Sequence, residues 1–236
     1  MIRAAVTAIA LAAALVAWAP AAQAADECKG LMVCIPVAGP WVKIPAPAAG
    51  GAATATWRLV CPEGIVGGVD ARASEVAVAV EFPGRLGSPV NPGITTARTL
   101  VFKGTYAGRV SRTTSYRPFI GCIPAAGGGG PRTPTSVSRA VEVKPGESIA
   151  VRVATLRVQP GQLARATLRC RPGERLLSSR HSVGLYTAGV PTRAQLAAIR
   201  VVRATESGRV LVSATRRAGL AAGVRAVVQV QAECAR

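Results

Sequence analysis

The segment that opens with Cys61-Pro62-Glu63-Gly64 reaches another cysteine, Cys122, after 61 residues. A second segment opens with the similar motif Cys170-Arg171-Pro172-Gly173-Glu174 and reaches Cys234 after 64 residues. Two intervals of nearly equal length, each bounded by cysteines, predict two copies of one small module, each cross-linked from its first strand to its last. The pattern indicates an architecture, and it contains no residue set typical of a reaction.

The N-terminus has the three regions of a secretory signal peptide. Arg3 supplies a positive charge, about fifteen apolar residues follow, and Ala22-Gln23-Ala24 places small residues at the cleavage positions. We therefore expect residues 1–24 to be a signal peptide and the protein to be secreted or associated with the cell envelope. A transmembrane helix needs about 20 apolar residues, so no membrane segment is expected in the mature chain. A retained signal anchor and lipidation at Cys28 are the less favoured alternatives.

Export makes the six cysteines candidates for disulfide bonds, because thiols oxidise outside the reducing cytosol. Six cysteines allow 15 pairings. The matched intervals favour two of the bonds, and the remaining two cysteines are close enough in sequence to close a short loop. The predicted set is Cys61–Cys122, Cys170–Cys234 and Cys28–Cys34. A different partner for Cys34 stays open, because Cys34-Ile35-Pro36 resembles Cys122-Ile123-Pro124.

The composition and the local patterns predict a mainly β protein. Short alternating segments such as Val224 to Cys234, with Gln229, Gln231 and Glu233 on one face, have the period of half-buried strands. Pro-Gly pairs recur between them, and Gln159-Pro160-Gly161-Gln162 predicts a hairpin turn. One short helix is expected at 192–199, where Thr192 and Gln195 have the spacing of a capping box.

A connector divides the mature chain into two parts. Residues 125–138 are rich in Gly, Pro, Ser and Thr, a composition that cannot bury a core. We therefore expect module one at 25–124 and module two at 139–236, each near the usual size of a β-sandwich domain. The expected fold is two tandem, disulfide-stapled, β-sandwich-like modules, with the short helix in the second.

The residues that open the two segments resemble a known type of module. Cys61-Pro62-Glu63-Gly64, the following Val66-Gly67-Gly68 and a last strand that ends in cysteine are similar to the Cys-Pro-x-Gly modules of secreted and surface proteins of high-GC bacteria. The second copy departs from this pattern, because Arg171 precedes Pro172 and Ser178-Ser179 replaces the paired glycines. The resemblance implies an exported β module and implies no reaction. The glycines themselves are expected where the backbone leaves the first strand through angles closed to other residues.

Positive charge is concentrated in the second half of the chain. The net charge is +4 over residues 25–125 and +13 over residues 126–236. An anionic polymer of the cell envelope would be attracted to such a surface and held by bidentate guanidinium contacts. The candidate polyanion-binding residues are Arg165, Arg169, Arg171, Arg175 and Arg180.

The charge has two other interpretations. Only four of the 29 basic residues are lysine, which fits a coding bias toward arginine and a merely solvated surface. Nucleic acid is not expected as a partner, because export removes it and the few aromatic residues give no platform for base stacking.

The sequence contains no recognisable catalytic set, and an enzyme is not expected. His181 lies near Ser178, Ser179 and Ser182, but adjacent residues rarely face one another and no Gly-x-Ser-x-Gly motif is present. A sortase-like use of Cys170 with His181 fails because sortases carry the histidine ahead of the cysteine.

Two further chemistries have little support. Paired carboxylates for glycoside cleavage would have to come from residues without informative spacing, namely Glu63, Glu75, Glu81 and Glu174. A metal site is not expected, because the chain has no Cys-x-x-Cys motif and a single histidine. No cofactor is predicted.

The sequence therefore favours a secreted structural or binding protein of the cell exterior. The alternative is an exported hydrolase or transpeptidase that acts on envelope glycans or peptides. A deep cleft holding His181 or two facing glutamates would favour the enzyme, and an arginine-rich face would favour binding. The oligomeric state is not predicted.

Overall fold

The computed structural model describes residues 26–29, 31, 33–48, 51–82, 98–124, 148–206, 208–221 and 223–236. The predicted signal peptide and the predicted connector at 125–138 lie outside these residues, so both stay predictions, as do the module boundaries. Among the described residues, no helix is both long and apolar enough to cross a membrane.

The described part of the chain is mainly β, as the composition predicts. A short 3-10 helix at Asp26–Cys28 comes first. The strands of the first half are β1 (Ile35–Ala38), β2 (Trp41–Ile44), β3 (Ala53–Val60), β4 (Ile65–Ala73), β5 (Val78–Glu81), β6 (Thr99–Tyr106) and β7 (Thr114–Ile123). The second half contains β8 (Ile149–Val158), β9 (Leu163–Arg169), β10 (Arg175–Tyr186), helix α1 (Arg193–Ala197), β11 (Ile199–Glu206), β12 (Arg209–Arg216) and β13 (Arg225–Ala235).

The two halves place their strands in the same order. In the first half β7 lies between β2 and β4, and in the second half β13 lies between β8 and β10. A small sheet accompanies each set, with the order β3-β6-β5 in the first half and β9-β12-β11 in the second. Even the irregularities correspond, because the register shifts once near the start of β4 and once near the start of β10.

One large sheet runs through both halves. It has the order β1-β7-β2-β10-β13-β8, with β4 on the other edge of β7. The junction between the halves is short, since β2 and β10 pair only through Val42 with Gly184 and Trp41 with Leu185. Gly184 is required there by close approach, because a Cβ atom would lie 2.5 Å from the Pro40 ring.

The two hydrophobic cores lie on opposite faces of this large sheet. Neighbouring residues of a strand point to opposite faces. Val227 packs in the core of the first half, with Trp57 and Phe102, whereas Val228 packs in the core of the second half, with Val210. The two small sheets therefore cover different faces of one shared sheet.

All three predicted disulfide bonds are present, and the alternative partner for Cys34 is wrong. Cys61 follows β3 and joins Cys122 in β7, and Cys170 follows β9 and joins Cys234 in β13. The Cys28–Cys34 bond closes a short loop. Each long disulfide thus ties the small sheet of its half to the large sheet at an equivalent position.

The glycines of the opening motif have two separate physical reasons. Gly64 and Gly173 have φ angles of 73° and 82°, as expected for turns that other residues rarely adopt. Gly67 and Gly68 do not, so the conformational explanation is wrong for them. A Cβ atom on Gly68 would lie 1.6 Å from the Glu27 carbonyl oxygen, which shows that Gly68 makes room for the N-terminal segment.

The short helix is confirmed, and it is shorter than the predicted range. The Thr192 side chain accepts a hydrogen bond from the Gln195 backbone, and the Gln195 side chain accepts one from the Thr192 backbone. The helix ends at Ala197 because the chain enters β11 at Ile199.

Two expectations about the second half are wrong. The Gln159–Gln162 turn is not a hairpin, because β8 pairs with β13 in the large sheet and β9 pairs with β12 in the small one. The polar face of β13 is not solvated either, since Gln229 and Glu233 are 5% and 3% exposed. The Gln229 side chain bonds the backbone N–H and carbonyl of Arg58, at 2.7 and 3.0 Å, and so joins the two halves.

Candidate functional site

Two of the five predicted arginines lie on the same exposed side of β9. Along β9 the residues alternate between exposed and half-buried, and Arg165 and Arg169 belong to the exposed set. Residues that pair across antiparallel strands share a face. We define the outer arginine face as the outward side of the sheet β9-β12-β11. Its basic residues are Arg165, Arg169, Arg200 and Arg209.

One acid accompanies these cations on the described part of that face. Glu206 pairs with Arg209 in register, and its carboxylate accepts a hydrogen bond from the Arg209 guanidinium at 2.8 Å. The same face also carries two exposed apolar side chains, Leu163 and Val202. The face thus presents a net positive charge without local neutralisation of Arg165 or Arg169.

The other three predicted arginines are not part of this face. Arg171 lies in the turn after β9, where its backbone N–H donates to the Glu174 carboxylate. Arg175 begins β10 opposite Ala235. Arg180 donates to the buried Glu233 carboxylate. The structure therefore brings Arg165 and Arg169 together and separates them from Arg171, Arg175 and Arg180.

Sequence reasoning missed a cleft at the junction of the two halves. It has a volume of about 400 Å³, and it lies where β2 and β10 diverge beyond their short pairing. The basic side chains of Lys43, Arg180 and Arg203 line it together with His181. Val183, Ile199 and Val201 form part of an apolar wall. Because the lining comes from both halves, no local motif could have indicated it.

His181 lies in the middle of β10. Its side chain is half-buried, and its Nδ1 atom is buried without a hydrogen-bond partner among the described residues. Burial lowers the pKa of His181, and the nearby positive charges of Arg203 and Lys43 lower it further. Burial also lowers the pKa of Lys43. The imidazole is therefore neutral near pH 7.

The cleft holds His181, as expected for the enzyme alternative, but the described residues beside it supply no catalytic partner for the imidazole. Ser182 is buried and follows His181 in the strand, so the two side chains point to opposite faces. Three of the four candidate glutamates bind separate cations, in the pairs Glu75–Arg112, Glu81–Lys103 and Glu174–Arg152. No carboxylate of the described residues lines the cleft beside His181.

A cluster with the composition of a metal site has a structural explanation. Ligand atoms of Cys170, Glu174 and Cys234 lie within 4.8 Å of one another. The two sulfur atoms are bonded to each other, however, so neither is available as a thiolate ligand. Glu174 accepts hydrogen bonds from Arg152 and from the Arg171 backbone, which lower the pKa of its carboxyl.

Comparisons with known proteins found no match. No protein-family model, no curated protein and no solved structure is significantly similar to this chain.

Proposed function

We propose that this chain is an exported binding protein whose second half binds anionic polymers of the cell envelope through the outer arginine face. The observation that carries the proposal is the exposure of Arg165 and Arg169 on one side of β9. Arg200 and Arg209 add two positive charges to the same face, and Glu206 adds one negative charge.

The spacing of these arginines supports a polymer and not a small anion. Residues four apart in a strand are separated by about 13 Å. Exposed charges at physiological ionic strength are screened over about 8 Å. Arg165 and Arg169 therefore act as separate contact points, and a chain carrying repeated negative charges can engage both at once.

Export is the second part of the proposal. A signal peptide at 1–24 would bring the chain to an oxidising compartment, where the three observed disulfides are stable. We also infer that the halves are two copies of one Cys-Pro-x-Gly module, and their equal strand order and equivalent long disulfides support this. The hydrolase or transpeptidase alternative is not proposed, because His181 lacks a neighbouring carboxylate in the described residues that could orient it.

Retention on immobilised polygalacturonate tests the binding proposal. The mature protein should elute at a higher salt concentration than the variant R165Q/R169Q, because the variant loses two contact points. The matched control is K29Q/R109Q, which removes two exposed charges from the first half. Equal shifts for both variants would show that net charge alone governs retention, and the proposed face would then be rejected.

A further inference from the structure

The cleft between the halves has the size and the walls of a site for a small ligand. Such sites usually enclose about 300 Å³ or more and combine apolar walls with a few polar groups. This cleft has a volume of about 400 Å³ and is lined on one side by Val183, Ile199 and Val201. The deep end of its lining is buried, since Val183 and Ile199 are 6% and 4% exposed.

Every charged side chain that lines the cleft among the described residues is basic. Arg180 is neutralised by Glu233, and Arg203 donates one of its five N–H groups to the Ser179 carbonyl. The Lys43 ammonium forms no ion pair with any described residue, and burial is the cause that lowers its pKa. Lys43 and the remaining donors of Arg203 are therefore available to an anion.

His181 supplies an independent sign of a missing partner. Its Nδ1 atom is buried without a hydrogen bond among the described residues. A buried polar atom of this kind costs free energy unless something pairs with it. Lys43, His181 and Arg203 all line the cleft, so the three groups lie around one space.

We propose that this cleft binds a small organic carboxylate, with the carboxylate between Lys43, Arg203 and His181 and its apolar part against Ile199 and Val201. The ligand carries one compact negative charge, because both available cations line the same cleft. The apolar wall excludes a fully hydrated ion such as inorganic phosphate as the preferred occupant. This site is separate from the outer arginine face and does not depend on polymer binding.

Proton binding at His181 is coupled to the ligand. Of the cations near the imidazole, Arg180 points to the opposite face of β10 and pairs there with Glu233 on β13, whereas Lys43 on β2 and Arg203 on β11 act on His181 directly. A bound carboxylate would offset the other two positive charges and stabilise the imidazolium form. Ligand binding therefore raises the pKa of His181, and affinity increases as the pH falls through that raised pKa.

The single histidine makes a direct experiment possible. The imidazole signals of the mature protein, purified without a histidine tag, are followed by NMR during titration with hexanoate at constant ionic strength. Hexanamide serves as the neutral ligand of equal size, and N-acetyl-Ala-Val tests whether a peptide end binds better than a free acid. We expect a saturable shift with a carboxylate and a higher His181 pKa at saturation. Hexanamide should produce neither effect.

Variants separate this site from general charge effects. The K43Q variant should weaken hexanoate binding about 10-fold, which corresponds to loss of a charge-assisted hydrogen bond. Hexanoate binding should be unchanged in the variants R109Q and R165Q/R169Q. Thermal melting shows whether each variant is folded. An unchanged His181 pKa in the unmodified protein at the highest soluble carboxylate concentration would overturn the proposal. Equal shifts with hexanamide would overturn it as well.

Discussion

At the scale of single residues, Glu233 shows how a polar strand face becomes an interior. The carboxylate is 3% exposed and accepts hydrogen bonds from the Arg180 guanidinium and the Ser178 hydroxyl. Glu233 lies opposite Ser178 in the sheet, and the equivalent pair in the first half is Gly68 with Gly121. The N-terminal segment packs closely against these two glycines. The same position of the fold is thus filled by an ion pair in one half and by a peptide backbone in the other.

Removal of the Glu233 charge should destabilise the protein. The variant Glu233→Gln leaves Arg180 without its anionic partner in a largely buried place, so the free energy of unfolding should fall by about 2 kcal/mol. Urea denaturation measures this change. The control Glu206→Gln removes a carboxylate that is about half exposed and also pairs with an arginine, and it should cost about 0.5 kcal/mol or less. Equal costs for the two variants would show that Glu233 is not a buried partner.

His181 should make the stability depend on pH in a defined direction. Its pKa is lower in the folded protein than the ordinary value of 6.5, chiefly because of burial. The unfolded chain therefore binds the proton more readily, and acid favours unfolding. The free energy of unfolding should fall as the pH decreases from about 7 through 6.5 and below. The variant His181→Gln should show a flatter pH profile in this window, and a profile of equal slope would contradict the assignment.

At the scale of elements, the long disulfides should contribute more stability than the short one. The Cys61–Cys122 bond spans 61 residues and Cys28–Cys34 spans 6. Loop-closure entropy gives about 4 kcal/mol for the long loop and about 2 kcal/mol for the short one. Denaturation of C61A/C122A and C28A/C34A should therefore show the larger loss in the first variant. The reverse order would mean that the N-terminal loop holds the first half together.

The sequence could predict those elements whose cause is local. The capping residues Thr192 and Gln195 act within one turn, and Gly64 and Gly173 adopt turn angles that few other residues allow. The two long disulfide bonds could be predicted from the matched cysteine intervals, because two segments that fold alike place their cysteines at equivalent positions.

Other features depended on contacts between distant segments. The alternation of β13 indicates that its two faces differ, but it does not indicate that the Gln229 face meets Arg58 of the other half. Likewise, Gly68 is explained only by the approach of Glu27. The cleft at His181 was not predictable for the same reason, because Lys43 and Arg203 come from different halves.

At the scale of the whole molecule, the two halves are joined in one sheet with their cores on opposite faces. The pairing of Trp41 with Leu185 and of Val42 with Gly184 continues the hydrogen-bonded sheet from one half to the other. This arrangement leaves the sheet β9-β12-β11 with one side packed on its core and the other turned outward. The outer arginine face therefore lies wholly on the second half and is exposed.

The salt dependence of polymer binding tests the central claim most directly. Affinity of the mature protein for polygalacturonate is measured by calorimetry over a series of salt concentrations, together with R165Q/R169Q and K29Q/R109Q. Because each cation in contact with the polymer displaces bound counterions, the slope of log affinity against log salt reports the number of contacts. The account predicts a slope reduced by roughly two contacts for R165Q/R169Q and little changed for K29Q/R109Q. Equal slopes for all three proteins would contradict binding through the outer arginine face.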